Sequence, residues 1–151
     1  MSERVVTRNK QARRDYEIFD TMEAGMVLQG SEVKSLRQGQ ADLKGSFARV
    51  EGEEVWLYDC HIAPYEQAGY AGHDPKRRRK LLLHREEIRR LIGKVAQKGL
   101  TLIPLRIYFR RGYAKVELAV ARARTRGDKR RKIEEQRARR EMQQEVRRHK
   151  G

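Results

Sequence analysis

The chain is 151 residues long, one domain's worth, and 38% of it is charged against about 25% in an ordinary globular domain. Its 36 Lys and Arg outnumber 21 Asp and Glu, and the formal charge of +15 points to a polyanionic partner. A single cysteine, Cys60, rules out a disulfide framework or a multi-cysteine zinc site, and no apolar run approaches the roughly 20 residues of a membrane span, so a soluble protein of a reducing, cytoplasmic compartment is expected.

In chain order, residues 1–14 read as a basic arm, mobile when free: Arg4, Arg8, Lys10, Arg13 and Arg14 face only Glu3, and Val5-Val6 is the sole apolar pair. Residues 15–121 hold the aromatics, all 3 prolines and 10 of the 12 glycines, so the packed core lies there. Within it, Tyr16 to Asp20 and Met26 to Leu28 are short β-prone runs. Ser31 then opens a short helix as its N-cap, with Val33 and Leu36 at i,i+3 and Gly39 as the stop. Phe47 to Val50 and Val55 to Cys60 flank a turn and read as a hairpin. His84 to Lys98 carries Ile88, Leu91, Ile92 and Val95 at helical spacing and stops at Gly99. Leu100 to Leu105, Arg106 to Phe109 and Tyr113 to Ala121 are further strands, and in the last Ala114, Val116, Leu118 and Val120 alternate with Lys115 and Glu117, giving one buried and one wet face. The pattern predicts a mainly β, α+β domain: an OB-fold-like antiparallel β-barrel with about three helices, a split α+β sheet being the alternative. Residues 122–151 form a tail with 13 Lys/Arg, 5 Asp/Glu, no aromatic and no leucine, which cannot build a core. Ala138, Met142 and Val146 recur at i, i+4, i+8, so the tail is expected to be disordered when free and helical once a partner neutralises it.

No catalytic constellation emerges. Cys60 and His61 are neighbours in a strand and point to opposite faces, the histidines lack metal-ligand spacing, and Glu86-Glu87 suits a helix N-terminus better than acid/base work. Neither a metal nor a cofactor is expected, and a nuclease or hydrolase is disfavoured. The more informative feature is the run Lys76, Arg77, Arg78, Arg79, Lys80, because five consecutive cations repel one another without a polyanion. Such a cluster supplies affinity and positioning rather than sequence readout. Tyr16, Tyr65, Tyr70 and Tyr113 lie near basic or loop segments where rings can stack on bases, whereas Trp56, inside a strand, is read as packing.

Three strings then match one family: N-K-Q-A-R-R-D-Y at 9–16, E-A-G-M-V-L-Q-G-S-E-V-K-S-L-R-Q-G at 23–39 and D-P-K-R-R-R-K-L-L-L-H at 74–84. With I-A-P-Y at 62–65, R-G-Y-A-K-V at 111–116 and D-K-R at 128–130, the chain resembles the bacterial SsrA-binding protein family, small protein B, over nearly its whole length. The resemblance implies an OB-like barrel that binds the tRNA-like domain of transfer-messenger RNA and delivers it to stalled ribosomes for trans-translation, without covalent chemistry of its own. It implies RNA contacts at Asn9, Lys10, Arg13, Arg14, Glu23, Leu82 and Lys115, to which the run 76–80 adds phosphate contacts. It also implies that the tail, through Arg124, Arg126, Asp128, Lys129, Arg130, Met142 and Val146, enters the decoding centre and empty mRNA channel of the small subunit, the protein acting as a monomer on its RNA. One departure stands out: the family places an aromatic residue or His just before D-K-R, and this chain has Gly127, which has no ring to stack. From composition alone, a ribosomal or ribosome-assembly protein holding ribosomal RNA structurally fits equally well.

Overall fold

The computed structural model describes residues 3–65, 72–96, 99–124, 136–140 and 142. Six strands close on themselves. They are β2 (Tyr16–Met26), β4 (Phe47–Glu51), β5 (Glu54–Tyr58), β7 (Arg79–Leu82), β8 (Leu100–Arg110) and β9 (Tyr113–Ala123), every pairing being antiparallel, and β9 returns to β8 so that the sheet becomes the expected barrel. A further strand, β1 (Arg4–Arg8), lies along β8, and a two-stranded ladder joins β3 (Ala41–Asp42) to β6 (His61–Ile62). Helices α1 (Ala12–Asp15), α2 (Gly30–Arg37) and α3 (Arg85–Val95) connect the strands.

Two β-bulges explain why short runs in the sequence become long strands. Register shifts between Ile18 and Asp20 and between Pro104 and Arg106, so β2 and β8 each run for 11 residues where interrupted strands were predicted. The second bulge also accommodates Pro104, which has no N–H for the ladder, and inverts the facing of the residues beyond it. Leu102, Ile107 and Phe109 therefore join the barrel interior, while Ile103 and Leu105 join a small second core outside the wall. Ala119 and Ala121 face that second core beneath Ala12 of α1, so residues 118–121 of β9 are buried on both faces, and within the predicted strand the wet face is confined to the first half.

The N-terminal segment is not a loose arm. Val5, Val6 and Thr7 are half-buried in β1, and the Asn9 backbone N–H and side-chain amide donate to the carbonyls of Leu105 (2.7 Å) and Pro104 (3.0 Å). At the other boundary β9 continues through Arg122 and Ala123, and the Arg124 N–H donates to the Asp15 carbonyl at 2.8 Å, so the barrel extends beyond Ala121. In the tail, residues 136–140 and 142 are helical and exposed.

Helix α2 begins two residues earlier than predicted. Gln29, not Ser31, is its N-cap, in a reciprocal box with Glu32, and Ser31 is buried with its hydroxyl on His73 Nδ1 at 2.8 Å. Helix α3 starts as the sequence predicts, with His84 as N-cap and the Glu87 carboxylate accepting its backbone N–H at 3.0 Å. It stoppers one end of the barrel through Leu91, which is fully buried among the residues of the main core. Leu91→Ala should therefore cost about 2–5 kcal/mol, seen as a lower urea midpoint at unchanged slope. An unchanged midpoint would show that the cavity is absent.

Candidate nucleic-acid interface

Strand parity decides what the basic run presents. As the chain enters β7, Arg78, Lys80 and Leu82 point outward while Arg79 and Leu81 point into the barrel wall. Arg79 is fully buried: its Nε donates to Glu32 Oε2 at 2.5 Å, Nη1 to the Cys60 carbonyl at 2.6 Å and Nη2 to the Pro75 carbonyl at 3.2 Å. Arg77, partly exposed, reaches the other oxygen of Glu32 at 2.5 Å. Two of the five cations are thus committed to a buried carboxylate, and the run leaves Lys76, Arg78 and Lys80 outward, Arg78 in an exposed ion pair with Glu51 at 3.3 Å and Lys80 in one with Glu54 at 3.3 Å. Phosphate contact by Arg79 is incompatible with its burial, because withdrawing it would leave Glu32 charged and uncompensated in the interior. Arg78 also lies over the Trp56 ring at 4.3 Å, and Trp56 is half-buried on the outer surface, not in the core.

Glu23, Leu82 and Lys115 come from three different strands and are brought together by register. Gly25 of β2 pairs with Leu82 on one side and Lys115 on the other. A hollow of about 360 Å³ opens there, lined by Glu23, Gly25, Leu82, Leu83, Glu87 and Lys115 with His84. Leu82 is 53% exposed, which removes it from the core and makes it an apolar wall of this hollow. The Tyr108 hydroxyl and Arg110 Nη1 (3.2 Å) both donate to Glu23 Oε2. That hydrogen bond from Tyr108, with Arg110 and Lys115 nearby, holds the Glu23 carboxyl below its ordinary range, while burial and the same contact push the phenol upward. Glu23 is therefore ionised at neutral pH and acts as an acceptor. Tyr108, Arg110 and Gly25 are members of this site that sequence reading passed over, although the E-A-G string contained the last of them.

The other residues lie elsewhere. Asn9 and Lys10 line a separate hollow with Arg8, Gln11, Asp42 and Lys44, and Arg13 and Arg14 are exposed on α1. Arg13 and Arg14 directly precede the start of β2, whereas Asn9 follows Arg8, which lies in one row with Glu23 through Arg106 and Glu117, three strand spacings or roughly 15 Å across the sheet. Arg124 lies at the start of β2, its N–H on the Asp15 carbonyl. Met142 is 70% exposed, and Arg126, Asp128, Lys129, Arg130 and Val146 lie outside the described residues. Among the described residues no helix is long and apolar enough to cross a membrane, and no group of three potential metal ligands occurs.

The family model described as SmpB protein matches residues 6–148. The chain belongs to the SmpB protein family. Within it, an SsrA-binding protein of Thermus thermophilus is 56% identical over 140 residues, covering 92% of this chain and 97% of that protein. The SsrA-binding protein of a Sulfurihydrogenibium species is 54% identical over 143 residues, covering 95% and 94%. A solved structure, "tmRNA-SmpB: a journey to the center of the bacterial ribosome", contains a chain 56% identical to this one with a TM-score of 0.68, covering 84% of this chain and 93% of that one. The shared SmpB architecture includes the barrel on which the Glu23, Leu82 and Lys115 group is mounted.

Proposed function

We propose that this SmpB-family chain binds transfer-messenger RNA at its tRNA-like domain and carries it to stalled ribosomes, serving as an RNA-binding factor and not as an enzyme. The observation that carries this reading is identity above 50% to SsrA-binding proteins over more than nine-tenths of the chain. The surface chemistry supports it. Lys76, Arg78 and Lys80 supply sequence-independent attraction to phosphates, the Asn9, Lys10, Arg13 and Arg14 group adds a second positive surface, and the ionised Glu23 supplies readout of a base amino group or a 2′-hydroxyl. The tail, from Arg124 through Arg126, Asp128, Lys129 and Arg130 to the Met142 and Val146 stripe, is assigned to ribosomal RNA near the decoding centre.

Sequencing the RNA that co-purifies with the protein tests the reading. One RNA with a tRNA-like end is the expected result; ribosomal RNA in constant proportion would favour a structural ribosomal role instead. If binding rests on about five phosphate contacts, raising salt from about 50 to 200 mM should weaken it roughly 100- to 500-fold. Replacing Lys76, Arg78 and Lys80 together by alanine should flatten the log–log salt slope by about 2 to 3. A wild-type slope near zero would reject phosphate-dominated binding.

A further inference from the structure

Gly25 is the penultimate residue of β2 but is paired on both edges, where glycine weakens a sheet because it adds backbone entropy and packs nothing. The usual reasons for tolerating it are missing. Its φ is not among the positive values found at Gly39, Gly45, Gly52, Gly99 and Gly112, so its backbone suits any residue. Nor is it crowded: a Cβ placed there would lie 3.4 Å from Leu82 Cβ, 3.7 Å from Leu82 Cδ1 and 3.8 Å from Lys115 Nζ, all ordinary contact distances. The fold alone would accept alanine. What a methyl would do is raise the floor of the hollow between Leu82 and Lys115.

We propose that Gly25 is the floor of a notch that seats one ribonucleotide against the β2 backbone, and that Tyr108 and Arg110 set the acceptor that reads it. The walls define the ligand. Leu82 offers an apolar surface for the face of a base or ribose, Lys115 a cation for a phosphate, and Glu23 an acceptor two residues along the same strand face. Both donors from β8 converge on Glu23 Oε2, and among the described residues Oε1 receives no hydrogen bond, which leaves that oxygen as the acceptor at the notch. An exocyclic amino group or a 2′-hydroxyl is the matching donor. The assignment rests on the RNA-binding reading above and adds to it a position that acts by having no side chain.

The test is Gly25→Ala and Gly25→Val in the full-length protein, with thermal unfolding measured alongside affinity for a transcript of the tRNA-like domain and for an unrelated RNA hairpin. For alanine we expect an unfolding temperature equal to or above wild type, affinity for the tRNA-like transcript lower by at least about tenfold, and hairpin affinity and salt slope unchanged; valine should deepen the specific loss. Tyr108→Phe should lower the ratio of the two affinities with the hairpin arm unmoved, whereas a purely structural role would weaken both together. Wild-type affinity for the tRNA-like transcript in the alanine variant would overturn the notch. Destabilisation by alanine, or equal losses on both RNAs, would overturn it too, since either means that the fold itself needs the glycine. If wild type shows no preference between the two RNAs, the functional reading fails and the notch with it.

Discussion

Glu32→Ala is expected to destabilise the protein by about 3–5 kcal/mol, lowering its unfolding temperature by roughly 10–20 °C. The Glu32 carboxylate is fully buried and accepts from Arg77 Nη2 at 2.5 Å, Arg79 Nε at 2.5 Å and its own capping partner, the Gln29 N–H, at 2.8 Å. Removing it leaves the Arg79 guanidinium buried with only carbonyls for company, and most of the loss is the cost of that unpaired charge. Burial pushes the Glu32 carboxyl up, but the bonds from Arg77, the Gln29 N–H and Arg79 outweigh it and the net shift is downward. A carboxyl lowered by folding contributes stability that is complete above its unfolded value, about 4.3, and is lost as pH falls through the folded one. Wild type should therefore keep a flat stability between about pH 5 and 8 and weaken below about 4.3, while Glu32→Gln starts lower and declines less steeply in acid. A scan giving Glu32→Ala the wild-type unfolding temperature would remove the ion cluster from the account of the fold.

A chain ending at Arg124 should fold with the wild-type unfolding temperature, bind the tRNA-like transcript within a few-fold of wild type, and fail to rescue stalled ribosomes. The cut belongs there and not at Ala121, because Arg122 pairs with Glu17 and Leu100, Ala123 pairs with Tyr16, and the Arg124 N–H closes on Asp15. Cutting at Ala121 would strip those bonds from the barrel seam and confuse instability with loss of function. What is removed after Arg124 is a basic segment without aromatic residues or leucine, so the folded core loses little. In a purified translation system stalled on a truncated message, rescue activity persisting in this variant would refute the assignment of the tail to the ribosome.

Composition and periodicity made the barrel class, the β4–β5 hairpin, helix α3 with its start at His84 and the amphipathic start of β9 legible. Strands β1 and β7 were hidden because apolar residues are sparse in both: R-V-V-T-R shows only Val5 and Val6, and in R-K-L-L only Leu81 belongs to the interior. Their strand character comes from partners, Arg106 to Phe109 for β1 and Val55 to Leu57 for β7, which are distant in sequence. The same holds for Arg79. In a row of five cations nothing local marks the one that turns inward, since the Glu32 that neutralises it is 47 residues away. Glu23, Leu82 and Lys115 entered through the family resemblance, and their juxtaposition through Gly25 followed only from the register of three strands.

The length of β2 has a mechanical meaning for a protein that is to hold RNA at one place and send its own tail elsewhere. With β9 hydrogen-bonded along it from Tyr16 to Gly25, β7 paired to its last two residues and both cores packed against it, β2 is a strut and not a hinge. The Glu23 notch is mounted at one end, and the point where the chain leaves the barrel, Arg124 against Asp15, is fixed at the other. The separation between cargo and tail is thus set by counting residue pairs along a ladder, which changes only in steps of about 3.3 Å. Bending the protein would not alter it, so any adjustment of reach on the ribosome falls to the RNA and to the chain beyond Arg124, while the barrel between them serves as a gauge of constant length.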